Sequence, residues 1–362
     1  MVIMSLAALL LCGSAWAADY PLTITDSTGR NVTFQMPVER IIVLNSNVAE
    51  ALEALGAGDK IVGVVDTVQK LSWYFPDLKN KELVGKWSAP DYEAIAQIAK
   101  GTEDRITPNI VIMGYASGTY SGKSYGVDAV SEGLKSFPEI TILALDCYKE
   151  ATLDEDLAKL GMILGKEENA EKLIAWRKAK KDDVTNAVSR LSKPKVYAEG
   201  TLSLKTNGAP SEINKNIELA GGSNIYGSSN QESFTTSWED VITKNPDIIL
   251  RLKSDDMMGW GASPSLESIS AQTVRNEILS RTGGTAISAI KPPKDEDKKV
   301  WIVWYNMIFG PDNVVGLTYM AKLYHPEIDL DPVSVHKEWL DFIGVKYPEK
   351  RTFVYPELAS DS

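Results

Sequence analysis

The sequence predicts an α/β protein of two lobes, each built on a central, mostly parallel sheet, joined by a single long α-helix. Three observations carry this. Continuous apolar runs of four or five residues, typical of strands covered on both faces, alternate with helical patterns up to about residue 152. A long, strongly charged helical stretch at about 167–191 then breaks the rhythm. After Pro194, which cannot continue a helix, the alternation restarts.

Taken in order, Ile41-Ile42-Val43-Leu44 reads as the first buried strand. Asn45-Ser46-Asn47 follows, with Ser46 or Asn47 expected to cap a helix whose apolar side carries Val48, Ala51, Leu52 and Leu55 and which Gly56 closes. Ile61-Val62-Gly63-Val64-Val65 is the second strand. A helix at 92–99, a strand at 110–113, a helix at 127–134 and a strand at 141–145 complete the first half. Two helical stretches then meet at Gly165, and the second keeps Ala170, Leu173, Ile174, Val184, Ala187, Val188 and Leu191 at helical spacing, interrupted by charges at 178–183. In the second half, strands are expected at 195–199, 247–250 and 300–304, and helices at 212–220, before Asn245, at 313–323 and at 333–342. The corresponding division is a leader at 1–17, a lobe at 18–152, a connecting segment at 153–193, a lobe at 194–346 and a tail at 347–362 that wraps the surface or frays.

Length and composition limit the function. A chain of 362 residues exceeds what one hydrophobic core organises, and 44% apolar with 24% charged residues describes a globular protein. The net charge of −11 and the lack of a Lys/Arg-dense stretch argue against nucleic-acid binding. Only two histidines, His325 and His336, leave little material for a zinc site.

The first eleven residues form an apolar stretch of signal-peptide length, and Ala15-Trp16-Ala17 offers the small residues that a signal peptidase reads, so export is expected with Ala18 as the new N-terminus. Cys12 leaves lipid modification open, although bulky Leu11 before it fits that route less well. The mature chain keeps only Cys147 and has no intramolecular disulfide.

Catalytic templates fail. No G-x-S-x-G, P-loop, G-x-G-x-x-G after a strand or H-E-x-x-H occurs. Asp154-Glu155-Asp156 suits a helix start, and Gly221-Gly222 and Gly283-Gly284 suit caps or turns. In open α/β sheets, by contrast, ligands sit beyond the carboxyl ends of the strands. Those positions hold Asn45, Ser46 and Asn47, then Asp66 with Trp73, Tyr74 and Phe75, then Lys86, Trp87 and Ser88. A Gly/Ser-rich loop with Tyr115, Tyr120 and Tyr125 follows, then Asp146 and Tyr148. The second half contributes Glu199, Lys205, Arg251, Lys253, Trp304, Tyr305 and Asn306. Rigid aromatic faces with a few cations suit a bulky, partly flat ligand with anionic edges.

Residues 23–30 (Thr-Ile-Thr-Asp-Ser-Thr-Gly-Arg), 40–44 and 54–64 (Ala-Leu-Gly-Ala-Gly-Asp-Lys-Ile-Val-Gly-Val) resemble the opening of periplasmic solute-binding proteins of ABC importers for ferric siderophores, haem and cobalamin, the type with a helical backbone between its lobes. Tyr92-Glu93-Ala94-Ile95 before the 108–112 strand, and Ser237-Trp238-Glu239-Asp240-Val241 before the 245–250 strand, resemble that family's repeat, one per lobe. The resemblance covers nearly the whole mature chain. It implies a ligand cleft between the lobes and an extracytoplasmic monomer that captures a metal-containing chelate, without a cofactor of its own. Its partner would be a permease dimer with its ATPase, docked through Glu93 and Glu239 and their pairing with permease arginines. A small oxyanion such as molybdate or tungstate, held by Lys86, Lys205 and Arg251, is the alternative ligand. An exported α/β enzyme acting on chelates is the rival from another class. Residues from about 286 onward exceed the simplest relatives in length.

Overall fold

The computed structural model describes residues 20–103, 105–120, 122–253, 258–261, 267–281 and 300–358. The expected leader with Cys12, the Gly283-Gly284 turn and the loop at 292–299 lie outside them.

Two five-stranded sheets form the lobes. The first contains β1 (Arg40–Val43), β2 (Ile61–Val64), β3 (Glu82–Leu83), β4 (Ile110–Gly114) and β5 (Thr141–Ala144), all parallel, in the order β5-β4-β1-β2-β3. Ile41, Ile42, Val43 and residues 110–113 are at most 1% exposed, as expected where helices cover both faces. Those helices are α1 (Ser46–Ala54), α2 (Asp66–Lys70), α3 (Tyr92–Lys100) and α4 (Val127–Gly133). The second sheet contains β6 (Lys195–Glu199), β7 (Ser223–Asn224), β8 (Ile248–Lys253), β9 (Val300–Trp304) and β10 (Val354–Tyr355), in the order β7-β6-β8-β9-β10. Only β10 runs antiparallel.

Between the sheets, α5 (Leu153–Leu164) ends at Gly165, whose left-handed φ of 63° turns the chain into α6 (Glu167–Val188). At 22 residues, α6 is about 33 Å long. It stops three residues short of the expected Leu191, which packs half-buried after the last turn. Its buried positions Ala170, Leu173, Arg177, Val184 and Val188 follow the helical repeat. Arg177 is the exception in an otherwise apolar stripe. Its guanidinium is 2% exposed and donates to Asp154 Oδ1 (3.0 Å), Pro311 O (2.6 Å) and Asn313 Oδ1 (2.8 Å), with Glu150 Oε2 at 3.4 Å. These bonds tie the helix to both halves. Asn169 adds a bond to Leu55 O in the first lobe (2.9 Å), and Lys180 pairs with Glu338 in the second (2.8 Å).

The second lobe is completed by α7 (Glu212–Leu219), α8 (Trp238–Lys244), α9 (Glu267–Ser280), α10 (Asn313–Tyr324) and α11 (Pro332–Phe342). The tail departs from the expected surface wrap. Residues 354–355 form the edge strand β10, and Phe353 is 3% exposed, with its ring 5.6 Å from Trp304, 5.8 Å from Trp260 and 4.5 Å from His336. Burial of that ring, together with ladder bonds to β9, holds the segment in place. Burial also pushes His336 down to about 3, so it is a neutral packing residue.

Candidate functional site

The carboxyl ends of both sheets converge on one cleft of about 610 Å³ between the lobes. Ser46 and Asn47 follow β1, Tyr115 follows β4, and Tyr148 lies beyond β5. Across from them, Thr201 follows β6 and Tyr305 follows β9. The first lobe's wall is a chain of edge-to-face rings. Trp87 stands 5.0 Å from Tyr125, Tyr125 5.5 Å from Tyr115, and Tyr115 5.9 Å from Tyr148. Gly118 makes this possible, because a Cβ there would lie 2.0 Å from the Tyr125 ring. The opposite wall carries Tyr305 against Phe309 (4.6 Å). Among the described residues, nine of the twenty-three that line it are aromatic.

Burial raises the phenols of Tyr115 and Tyr148, and Tyr305 is pushed up to about 12, so all three present neutral hydroxyls. The floor is a buried polar chain. Trp339 Nε1 donates to the Tyr74 hydroxyl (2.7 Å), which donates to Glu50, and Glu50 is hydrogen-bonded to Asp312. Glu50 is 6% exposed and Asp312 2%. Burial pushes Glu50 up to about 8, with the Tyr74 hydroxyl and the Arg177 guanidinium pulling the other way. Burial and the Glu50 carboxyl raise Asp312 well above the usual carboxylate range. The two carboxyls, one from each lobe, thus hold a proton between them.

Ser46, Asn47, Tyr74, Trp87, Tyr115, Tyr125, Trp304 and Tyr305 all line the cleft, Trp304 as a wall residue only 1% exposed. Five other expected ligand residues do not. Asn45 is fully buried and caps α1, accepting from Val48 N at 2.7 Å, the role expected of Ser46 or Asn47. Trp73 is 66% exposed outside the cleft, 5.5 Å from the Arg351 guanidinium. Lys86 is exposed on a hairpin (Gly85–Lys86 with Ala89–Pro90) whose turn carries Trp87. Lys205 lies half-buried in a second hairpin, while Asn207 of the same strand lines the cleft. Arg251 is 4% exposed, pairs with Glu199 (2.7 Å) and donates to the carbonyls of Gly200, Thr201 and Leu202. It braces the loop that presents Thr201 rather than facing a ligand. Tyr120 sits on a two-residue strand, and its side chain is outside the described residues.

Sequence reasoning missed Glu50, Asp312, Glu212, Glu232 and Phe309. Glu50 shares the face of α1 with Asn47, one turn earlier, a spacing that was available to be read. Asp312 immediately precedes α10 and has the look of an ordinary cap.

Glu93 and Glu239 occupy equivalent places. Each is the second residue of its helix after a capping Asp91 or Ser237, and each is exposed. The aromatic just before each carboxylate turns inward: Tyr92 donates to Ala129 O (3.2 Å), and Trp238 is 6% exposed.

Two α/β lobes, a long connecting helix and an interlobe cleft at the strand ends define an extracytoplasmic solute-binding protein. The chain belongs to the periplasmic binding protein family, whose model matches residues 41–292. It is 24% identical to an uncharacterized ABC transporter substrate-binding lipoprotein, YvrC, of Bacillus subtilis, over 89% of this chain and 95% of that protein. It is 25% identical to a cobalamin-binding protein of Halobacterium salinarum, over 74% of this chain and 68% of that one. Among solved structures, the TroA-like periplasmic binding protein FepB of Veillonella parvula aligns over 92% of this chain and 99% of its own with a TM-score of 0.69 and 21% identity. This chain is therefore a substrate-binding protein of an ABC transporter and not an enzyme. Among the described residues no helix is long and apolar enough to cross a membrane.

Proposed function

We propose that this protein captures a bulky metal-containing chelate, such as a ferric siderophore, haem or a cobalamin-type complex, between its lobes. It then presents the loaded cleft to a permease dimer through Glu93 and Glu239. The observation that carries the reading is the aromatic cleft itself. A volume of about 610 Å³ walled by nine rings suits a large, partly flat ligand. A tetrahedral oxyanion needs a much smaller cage with several donors, and Lys86, Lys205 and Arg251, the cations that would serve it, do not line the cleft. The likeness to a cobalamin-binding protein points the same way.

Tryptophan-fluorescence titration of the mature protein against ferric siderophores, haem, cobalamin, molybdate and tungstate tests this. Trp87 and Trp304 are the reporters, since both line the cleft. Saturable quenching by a chelate, corrected for its absorbance, is expected. Saturation by an oxyanion alone would overturn the ligand class.

A further inference from the structure

The residue before each outward carboxylate reaches an element that also shapes the cleft. In the first lobe, the Tyr92 hydroxyl donates to Ala129 O (3.2 Å) in the first turn of α4. Its ring lies against Gly133 of the same helix, where a Cβ would come within 2.5 Å of it. That helix starts two residues after Tyr125, a ring of the cleft wall, and Val127 N donates back to the carbonyl of Tyr115 (3.0 Å), the next ring of that wall. In the second lobe the link runs through Arg281, directly after α9. Its guanidinium stands 5.2 Å from the Trp238 ring, forks onto Glu199 (2.6 and 2.8 Å) and donates to Ser203 Oγ (3.2 Å). Glu199 is fully buried and also holds Arg251 (2.7 Å), whose guanidinium binds the carbonyls of residues 200–202. The loop at 200–204 carries Thr201 of the cleft, and Leu204 O accepts from Thr236 N (3.0 Å), one residue before the Ser237 cap of α8. A buried carboxylate shared by two guanidiniums is costly to take apart, so loop and helix are held together firmly.

We infer that in each lobe the cleft loop and the docking helix move as one unit, joined by two positioning residues, Tyr92 in the first lobe and Arg281 in the second. This rests on the docking role proposed for Glu93 and Glu239 and deepens it. A ligand that shifts the Tyr115–Tyr125 wall or Thr201 also shifts the helix that carries that lobe's carboxylate, so the permease meets carboxylates whose setting reports the state of the cleft. Packed side chains and shared hydrogen bonds carry such coupling between neighbouring elements. If Tyr92 and Arg281 merely anchored single elements to the core, their loss would loosen those elements alone.

Peptide-resolved hydrogen–deuterium exchange of the whole mature protein, with neither ligand nor permease present, separates the two. Tyr92→Phe removes only a hydroxyl, and Arg281→Lys keeps a charge for Glu199 while losing the fork. Tyr92→Phe should speed exchange at least about fivefold at both 92–96 and 125–130, with 200–206 and 236–242 unchanged. Arg281→Lys should do the same at both 200–206 and 236–242, with the first-lobe segments unchanged. Amides of β1 and β8, buried in the two sheets, should keep the parent rate in both variants. Faster exchange in only one member of a pair, in neither, or throughout the sheets as well would overturn the inference. The docking role stands or falls separately: it fails if Glu93→Ala with Glu239→Ala leaves uptake intact, whatever the exchange shows.

Discussion

Glu50 illustrates how a carboxyl buried in the cleft floor affects folding. Its carboxyl is pushed from 4.5 up to about 8 by burial, and Asp312 beside it is raised as well. Between those pH values the folded chain holds a proton that the unfolded chain has released. Stability therefore falls as pH rises from about 5 through about 8. Glu50→Gln keeps an acceptor for the Tyr74 hydroxyl and offers an amide to Asp312, so it should flatten that decline. Thermal melts across the range should show a gain at pH 8 of at least about 1.4 kcal/mol, roughly 2 °C in Tm, and little change at pH 5. An unchanged slope would mean that Glu50 is not the group holding the proton.

At the scale of elements, α6 and the tail do more than connect or trail. Arg177 reaches from α6 to Asp154 and Glu150 on one side and to Pro311 and Asn313 on the other. Arg177→Met should cost about 3–5 kcal/mol in denaturant unfolding, because it strands buried acceptors and carboxylates together. The tail contributes Phe353 to a cluster with Trp304, Trp260 and His336, so Phe353→Ala should cost about 3–5 kcal/mol, read by the same unfolding curves. An effect below 1 kcal/mol would place the tail outside the cooperative unit. These elements also show what the sequence made legible. The β-strands and α6 were readable because apolar runs and helical stripes are local patterns, and the cleft followed because strand ends are where such sheets place ligands. The roles of Arg251, Lys86 and Asn45 were not. Whether a polar side chain faces a ligand, braces a loop or caps a helix depends on which distant backbone it meets, and Arg251 meets the carbonyls of residues 200–202. The tail's seat was hidden for the same reason: Phe353 follows a charged, Pro-containing stretch, and its partners lie about fifteen to ninety residues away in sequence.

At the scale of the whole molecule, two lobes are held by one helix and a core that runs between them without a break. A helical connection of this kind favours small hinge movements over wide opening. The outward carboxylates Glu93 and Glu239 stand at matching positions in the two lobes, so under the proposed docking role their spacing would depend on lobe closure. Replacing both by Ala should abolish uptake through the permease while leaving ligand affinity within about twofold; a loss of affinity instead would remove the docking role. The central claim, that ligand is gripped by both lobes at once, is tested most directly by comparing the chelate affinity of Tyr125→Ala, from the first lobe, and Tyr305→Ala, from the second, with that of the parent chain. Each loses a ring from the cleft wall, so each should weaken binding at least tenfold while still unfolding in a cooperative transition. Loss confined to one lobe's variant would contradict an interlobe site.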